Sequence, residues 1–377
     1  MSEVSGCARR NLLGSPGYGT DVGTRRLDPA ADVVALAAAL VDIPSESLHE
    51  AEIADAVESF LSDVEHLDVR RHGNTIAAST NLGREQRVVL AGHLDTVPAH
   101  DNLPHRLDAT KLAGLGACDM KGGVAIALRL ARVIAEPAHD VTYFFYEGEE
   151  VASKFNGLRL IGESNPDWLA CDFAILMEPS NAGVEAGCQG TLRVEVRTKG
   201  ARAHSARSWK GSNAIHHATE ILSRLQAYEP KTVTVDGLDY REGMNAVAIS
   251  GGIAGNVIPD ECVVTVNHRF APSTSADEAL THVQELFDGF DVTVIDSVAG
   301  ALPSLDNEAV KSFVQSVGAS VQPKFGWTDV ARFAALGIPA VNYGPGDPAL
   351  AHSKDEFVPL VELLDCERHL TRWLTGI

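Results

Sequence analysis

Short apolar runs that stop abruptly at polar residues recur along the chain. Arg87-Val-Val-Leu-Ala91 runs into Gly92-His93-Leu94-Asp95, Val141–Tyr146 into Glu147-Gly148-Glu149-Glu150, and Phe173–Met177 into Glu178-Pro179-Ser180. A fourth run, Ile338–Tyr343, is followed by Gly344-Pro345-Gly346 and then by His352. Their lengths and β-branched or aromatic content predict strands. Between them the apolar spacing is helical: Val33, Val34, Leu36, Leu40 and Val41 in a pattern that begins at Asp28, then Ile53, Val57, Phe60 and Leu61, then Val124–Ile134 with Asp119 just before it. Strand-like runs alternating with helical ones predict a layered α/β domain, a largely parallel sheet with helices on both faces.

The middle of the chain has another rhythm. Thr191–Thr198 alternates, with Leu192, Val194 and Val196 on one face, and helical spacing follows from Ser212 to Tyr228. Ala246–Ile253 and Cys262–Phe270 read as strands separated by Asn256-Val-Ile-Pro259. Ser275-Ala-Asp-Glu278 is a capping box opening a helix to Phe287, and Asp291–Ile295 is a last strand. The order β-α-β-β-α-β is the split, ferredoxin-like one. The expected organisation is therefore a sheet domain of residues 28–181 and 298–377, interrupted by an inserted domain of residues 182–297. Residues 1–27, rich in Gly and Ser and without periodicity, read as a loose tail.

Charge narrows the function classes. With 51 acidic and 31 basic residues the formal charge is −20, which argues against nucleic-acid or anionic-membrane partners, since both require a basic face. The six cysteines, Cys7, Cys118, Cys171, Cys188, Cys262 and Cys366, form no C-x-x-C pair, which argues against a disulfide framework and a thiolate zinc site. No apolar run approaches the roughly 18 residues a membrane span requires. A cytoplasmic, soluble protein is expected.

The chemistry-bearing residues are His93, Asp95, Asp119, Glu149, Glu150, Glu178 and His352. Most follow a predicted strand, and in open α/β sheets ligands bind beyond the carboxyl ends of the strands. Taken singly each has an ordinary explanation, as a solvated loop residue, a helix cap or a surface histidine. Five separate segments delivering ligand-type residues to comparable positions is a different matter. Two histidines with several carboxylates suit zinc, cobalt or manganese.

Taken in order, Gly92-His-Leu-Asp-Thr-Val-Pro98, Gly116-Ala-Cys-Asp-Met-Lys-Gly-Gly123, Glu149-Glu150, Glu178-Pro-Ser180 and the late His352 resemble the metal-dependent aminoacylase/carboxypeptidase family, from about Asp28 to the C-terminus. Members hydrolyse amide bonds of N-acylated amino acids and short peptides. The resemblance implies two zinc ions per chain, with cobalt or manganese as substitutes. Asp119 would bridge them, His93 and Glu178 would complete one site, and Glu150 and His352 the other. It further implies Glu149 as general base, Asp95 as the group orienting His93, and a cis peptide after Asp119. His204, in Ala203-His-Ser-Ala-Arg207, would reach the partner subunit's active site in a homodimer and assist the reacting carbonyl oxygen.

Further segments, Glu185–Thr191, Ala203–Trp209, Gly255–Asp260 and Phe325–Phe333, are similar to a branch that releases a dicarboxylic acyl group from a carboxylate-rich amino acid. Arg269 matches the family's position for a substrate carboxylate, and Asn256 and Thr328 are candidate hydrogen-bond donors. Where an arginine is expected this chain has Gln189, with Arg193 and Arg207 as alternative sources of the charge. The rival readings are a deacylase of another N-acyl amino acid, a dipeptidase of the same fold, and a non-catalytic scaffold.

Overall fold

The computed structural model describes residues 26–376, and the four apolar runs are consecutive neighbours in one eight-stranded sheet. Its centre runs Asp140–Tyr146, Arg87–His93, Phe173–Leu176, Ala340–Tyr343, all parallel. The hairpin Asp68–His72/Thr75–Ser79 joins one side antiparallel. On the other, Val184–Ala186 runs antiparallel to Ala340–Tyr343 and parallel to Val321–Pro323. The sheet is thus mixed, with its four central parallel strands buried on both faces.

The continuous apolar runs follow from that double burial. Val88 and Leu90 pack on one side with the helices Val33–Val41, Ala51–Leu61, Gly122–Val133, Glu308–Val317 and Leu360–Thr375. Val89 and Ala91 face the opposite way, into a smaller core with Leu158 and Ile161 of Gly157–Ser164 and Val330 and Phe333 of Val330–Ala335. Period-two alternation sends successive side chains to opposite faces, so a strand buried on both must be apolar throughout.

Two boundaries differ from expectation. The first helix begins at Val33, because the Asp32 carboxylate accepts the Ala35 N–H at 2.8 Å as an N-cap, whereas Asp28 closes a turn on Ala30 N–H. Leu27 is 6% exposed and belongs to the main core, so the expected tail is one residue too long; residues 1–25 of it lie outside the described residues.

Residues 190–298 form a second sheet, antiparallel throughout, in the order Gly243–Gly251, Glu261–Phe270, Gly190–Lys199, Asp291–Val298. The helices Ala214–Gln226 and Ala276–Leu286 cover one face, packing Ala218, Ile221, Ala279 and Val283 on Leu192, Val194, Val196, Val264 and Val266. The Ser275–Glu278 capping box is present. A hairpin, Thr232–Val235 with Leu238–Arg241, is added after the first helix. Among the described residues no helix is long and apolar enough to cross a membrane.

Candidate metal centre

Parallel register brings the strand ends to one rim. His93 pairs with Tyr146 and Ala91 with Leu176, so His93, the Glu147–Glu150 segment and Glu178 emerge side by side. Asp119 comes from the turn before the helix Gly122–Val133, which lies tight against the end of the Phe173–Leu176 strand. A Cβ at Gly123 would sit 2.1 Å from the Met177 carbonyl oxygen, so glycine is required there. The Asp119–Met120 peptide is cis, as the resemblance implies. His352 arrives on a loop with φ +61°, a left-handed conformation that non-glycine residues adopt sparingly and that recurs at functional sites.

Two overlapping triads result: His93, Asp119 and Glu178, and Asp119, Glu150 and His352, each with one ligand atom per residue within 4.8 Å of the others. Asp119 belongs to both, and its two oxygens face different histidines. Oδ1 lies 3.1 Å from His93 Nε2 and Oδ2 lies 3.5 Å from His352 Nε2. Glu150 Oε1 is 2.8 Å from the same His352 nitrogen.

The electrostatics call for cations. Burial alone would raise the Asp119 carboxyl, but hydrogen bonds to His352 and His93 hold it well below the usual carboxylate range. The bond to Asp119, and after it the bond to Glu150, pushes His352 up to about 10. Burial, followed by the charge of Asp119, pushes Glu178 up to about 8, and its Oε1 has no hydrogen-bond partner among the described residues. Burial likewise raises Glu149 well above the carboxylate range; the charges of Glu178, Asp329 and Glu150 add to it, and only His93 opposes them. Four carboxylates facing two imidazoles, with an orphaned buried oxygen among them, are a donor set that fits a pair of divalent ions.

Asp95 acts differently from expectation. His93 Nδ1 is 3.0 Å from the Asp95 backbone carbonyl, while the carboxylate stands off at 3.6 Å. That carboxylate, fully buried, accepts the Glu149 and Glu150 backbone N–H groups at 3.0 and 3.1 Å and the Ser47 hydroxyl at 2.7 Å. Asp95 therefore orients His93 through its main chain and pins the Glu149-Glu150 loop through its side chain.

Two supporting residues escaped the sequence reading. Glu356, 2% exposed, accepts backbone N–H groups from Gly116, Cys118 and Asp119 at 3.1, 2.9 and 3.0 Å. Four residues from His352, it fastens the loop carrying Asp119 to the segment carrying the second triad's histidine. Lys324, 6% exposed, lies 2.7 Å from Glu185 and donates to the Pro179 carbonyl at 3.2 Å, putting positive charge behind Glu178. Local sequence holds no signal for either, since each reads as a solvated loop residue until long-range contacts bury it.

The cleft over the triads, ≈ 440 Å³, is lined by Glu149, Lys324, Thr328 and the ligand residues apart from His93. Thr328 is there, but its hydroxyl already donates to Asn342 Oδ1 at 2.9 Å, leaving its oxygen as acceptor. His204 and Asn256 are exposed in the second sheet unit and outside this cleft. Gln189 is buried, its amide donating to the Arg241 carbonyl at 2.8 Å.

A doubly wound sheet whose rim carries two triads sharing one carboxylate, with a free glutamate beside them, defines a metal-dependent amide hydrolase. The profile of Peptidase family M20/M25/M40 matches residues 89–375, and the chain belongs to this family. It is 54% identical over 353 residues to a protein of Mycobacterium tuberculosis named succinyl-diaminopimelate desuccinylase, covering 93% of this chain and 100% of the relative. To the succinyl-diaminopimelate desuccinylase of Corynebacterium glutamicum it is 45% identical over 360 residues, covering 93% and 98%. A tripeptidase structure from Staphylococcus aureus shares the fold, with a TM-score of 0.75 at 22% identity, covering 91% of this chain and 97% of that one.

Proposed function

We propose that this chain hydrolyses N-succinyl-LL-2,6-diaminopimelate to succinate and LL-2,6-diaminopimelate, a step serving lysine and cell-wall synthesis. The observation that carries the reading is the 54% identity extending across the whole relative of that name. The candidate centre supplies the groups the reaction needs. His93, Asp119 and Glu178 would hold one zinc ion, and Asp119, Glu150 and His352 the other, with cobalt or manganese as substitutes. When bound, these ions supply Lewis acidity to the amide carbonyl and acidity to water.

The protein's own part is proton traffic and positioning. Glu149 takes a proton from the attacking water and returns it to the leaving nitrogen as the C–N bond breaks, so one water is consumed and one acid and one amine are formed. Burial raises the Glu149 pKa well above the carboxylate range, and the charge of His93 opposes that rise. Asp95 fixes the loop from which Glu149 projects.

We propose further that the second sheet unit, residues 190–298 and not the expected 182–297 because Val184–Ala186 belongs to the main sheet, forms a lid and dimerisation domain, and that His204 of one chain serves the active site of its partner. Two features support this. The Gly243–Gly251 strand is an uncovered edge whose Val247 and Ile249 are 58% and 52% exposed, a template for pairing with a second copy. His204 stands outside its own chain's cleft. A donor aimed at a developing oxyanion contributes about 10²–10³ in kcat. His204→Ala is expected to lose about that much while retaining its metal. Mixing His204→Ala chains with Glu149→Gln chains restores activity, because a heterodimer then holds one site with base and donor both intact. Subunit exchange without recovery would exclude the trans role.

The substrate assignment is tested by kcat/KM on N-succinyl-LL-diaminopimelate, N-acetylornithine and simple dipeptides with zinc present. The succinyl substrate is expected to be preferred by at least about tenfold, the effect of one hydrogen-bonded carboxylate. Preference for the acetyl substrate or a dipeptide would replace this reading with a sister activity of the same centre.

A further inference from the structure

A carboxylate-rich substrate needs fixed cations near the cleft, and the residue expected to supply one, Gln189, is neutral and buried with its amide committed to a carbonyl. The helix-free face of the second sheet offers another source. Arg269 pairs with Thr191 and Asn267 with Arg193 across the antiparallel strands Glu261–Phe270 and Gly190–Lys199. Paired residues share a face and residues two apart lie on the same side, so Arg193 and Arg269 are diagonal neighbours on one surface. Two arginines placed together repel unless an anion lies between them.

Neither guanidinium has a hydrogen-bond partner or an ion-pair partner within 4.0 Å among the described residues, although Asp296 stands opposite Arg193 in the adjoining strand. The contrast along one strand is informative: Arg197 is paired with Glu195 at 2.5 Å and Glu261 at 3.4 Å. In a chain with 51 acidic residues, leaving two adjacent arginines unpaired goes against the prevailing charge. Burial, and after it the charge of Arg193, lowers the Arg269 pKa, the signature of a partly desolvated cation beside another. The pair also lies at the correct end of the sheet. Cys188, just before the Gly190–Lys199 strand, has its Sγ 3.8 Å from the Thr328 carbonyl, and Thr328 lines the metal-centre cleft.

We propose that Arg193 is a specificity-determining residue, forming with Arg269 a two-guanidinium seat for one substrate carboxylate in place of an arginine at position 189. Guanidinium–carboxylate pairs are bidentate and directional, so a lysine replaces one only in part. The proposal rests on the desuccinylase reading for the identity of the carboxylate, which belongs to the succinyl or to the diaminopimelate end.

The test is calorimetric titration of the zinc-loaded protein with succinate and, separately, LL-diaminopimelate, using wild type, Arg193→Gln, Arg193→Lys and Arg197→Gln, with hydrolysis of the succinyl substrate assayed in parallel. Arg193→Gln is expected to bind one of the two products about 10–100-fold more weakly, the loss of one charged hydrogen-bonded contact, and to raise KM more than it lowers kcat. Arg193→Lys recovers part of the loss and Arg197→Gln behaves as wild type. The product affected identifies the end that the seat holds. Unchanged affinity of Arg193→Gln for both products, or no binding of either by wild type, overturns the seat. Absence of wild-type hydrolysis together with loss of product binding in Arg193→Gln would instead reject the desuccinylase reading and leave the seat standing.

Discussion

Asp119→Ala is expected to reduce hydrolysis to background and to bring bound metal below one ion per chain. Its two oxygens face His93 and His352 separately, so one substitution removes a ligand from both triads. The remaining carboxylates, with His93 and His352, would then hold each ion through two protein ligands instead of three. Lewis-acid stabilisation contributes several kcal/mol, which is about 10³-fold in rate or more. The loop itself should survive, because Glu356 grips it through the backbone N–H groups of Gly116, Cys118 and Asp119, and these remain in the variant. Metal analysis alongside a melting curve separates the outcomes. Near-normal metal content and activity in a folded variant would remove Asp119 from its shared role.

Glu149→Gln is expected to lower kcat by about 10²–10⁴-fold, the usual contribution of a general base, with metal content unchanged. Glu149 lines the cleft beside Asp119, Glu150 and Glu178 but belongs to neither triad. Its backbone N–H is held by the Asp95 carboxylate at 3.0 Å, so the amide side chain occupies the same place without proton affinity. A variant that instead loses metal in proportion to activity would make Glu149 a ligand and return Glu150 to question.

Most of the parts of this centre that were readable in the sequence share one physical property, that they terminate apolar runs, whereas Asp119 and His352 were read from the motifs that resemble the family. A strand buried on both faces must be apolar, so its end is sharply marked, and the parallel sheet aligns those ends at one rim. His93, Glu149, Glu150 and Glu178 were legible for that reason. What escaped depends on contacts distant in sequence. Glu356 lies 237 positions from Asp119, and nothing around Lys354-Asp-Glu356 distinguishes it from a solvated loop. The three-residue strands Val184–Ala186 and Val321–Pro323 are too short to show periodicity and exist because each completes the other at the sheet edge. The Thr232–Arg241 hairpin is a different kind of omission. Asp236 and Gly237 have φ of +50° and +80°, the two-residue turn that an Asp-Gly pair favours, so its signal was present in the sequence. The role of Asp95 was half legible, since its carboxyl was assigned to His93 while main-chain geometry gave that task to its carbonyl.

The central claim, that two ions held around Asp119 enable this chain to cleave a succinyl amide, is tested most directly by metal titration. Protein stripped by chelation is titrated with zinc while release of LL-diaminopimelate from N-succinyl-LL-diaminopimelate is followed. The expected result is no turnover in stripped protein, with activity returning as zinc is added and levelling off at two ions per chain. Full turnover by rigorously metal-free protein would contradict it.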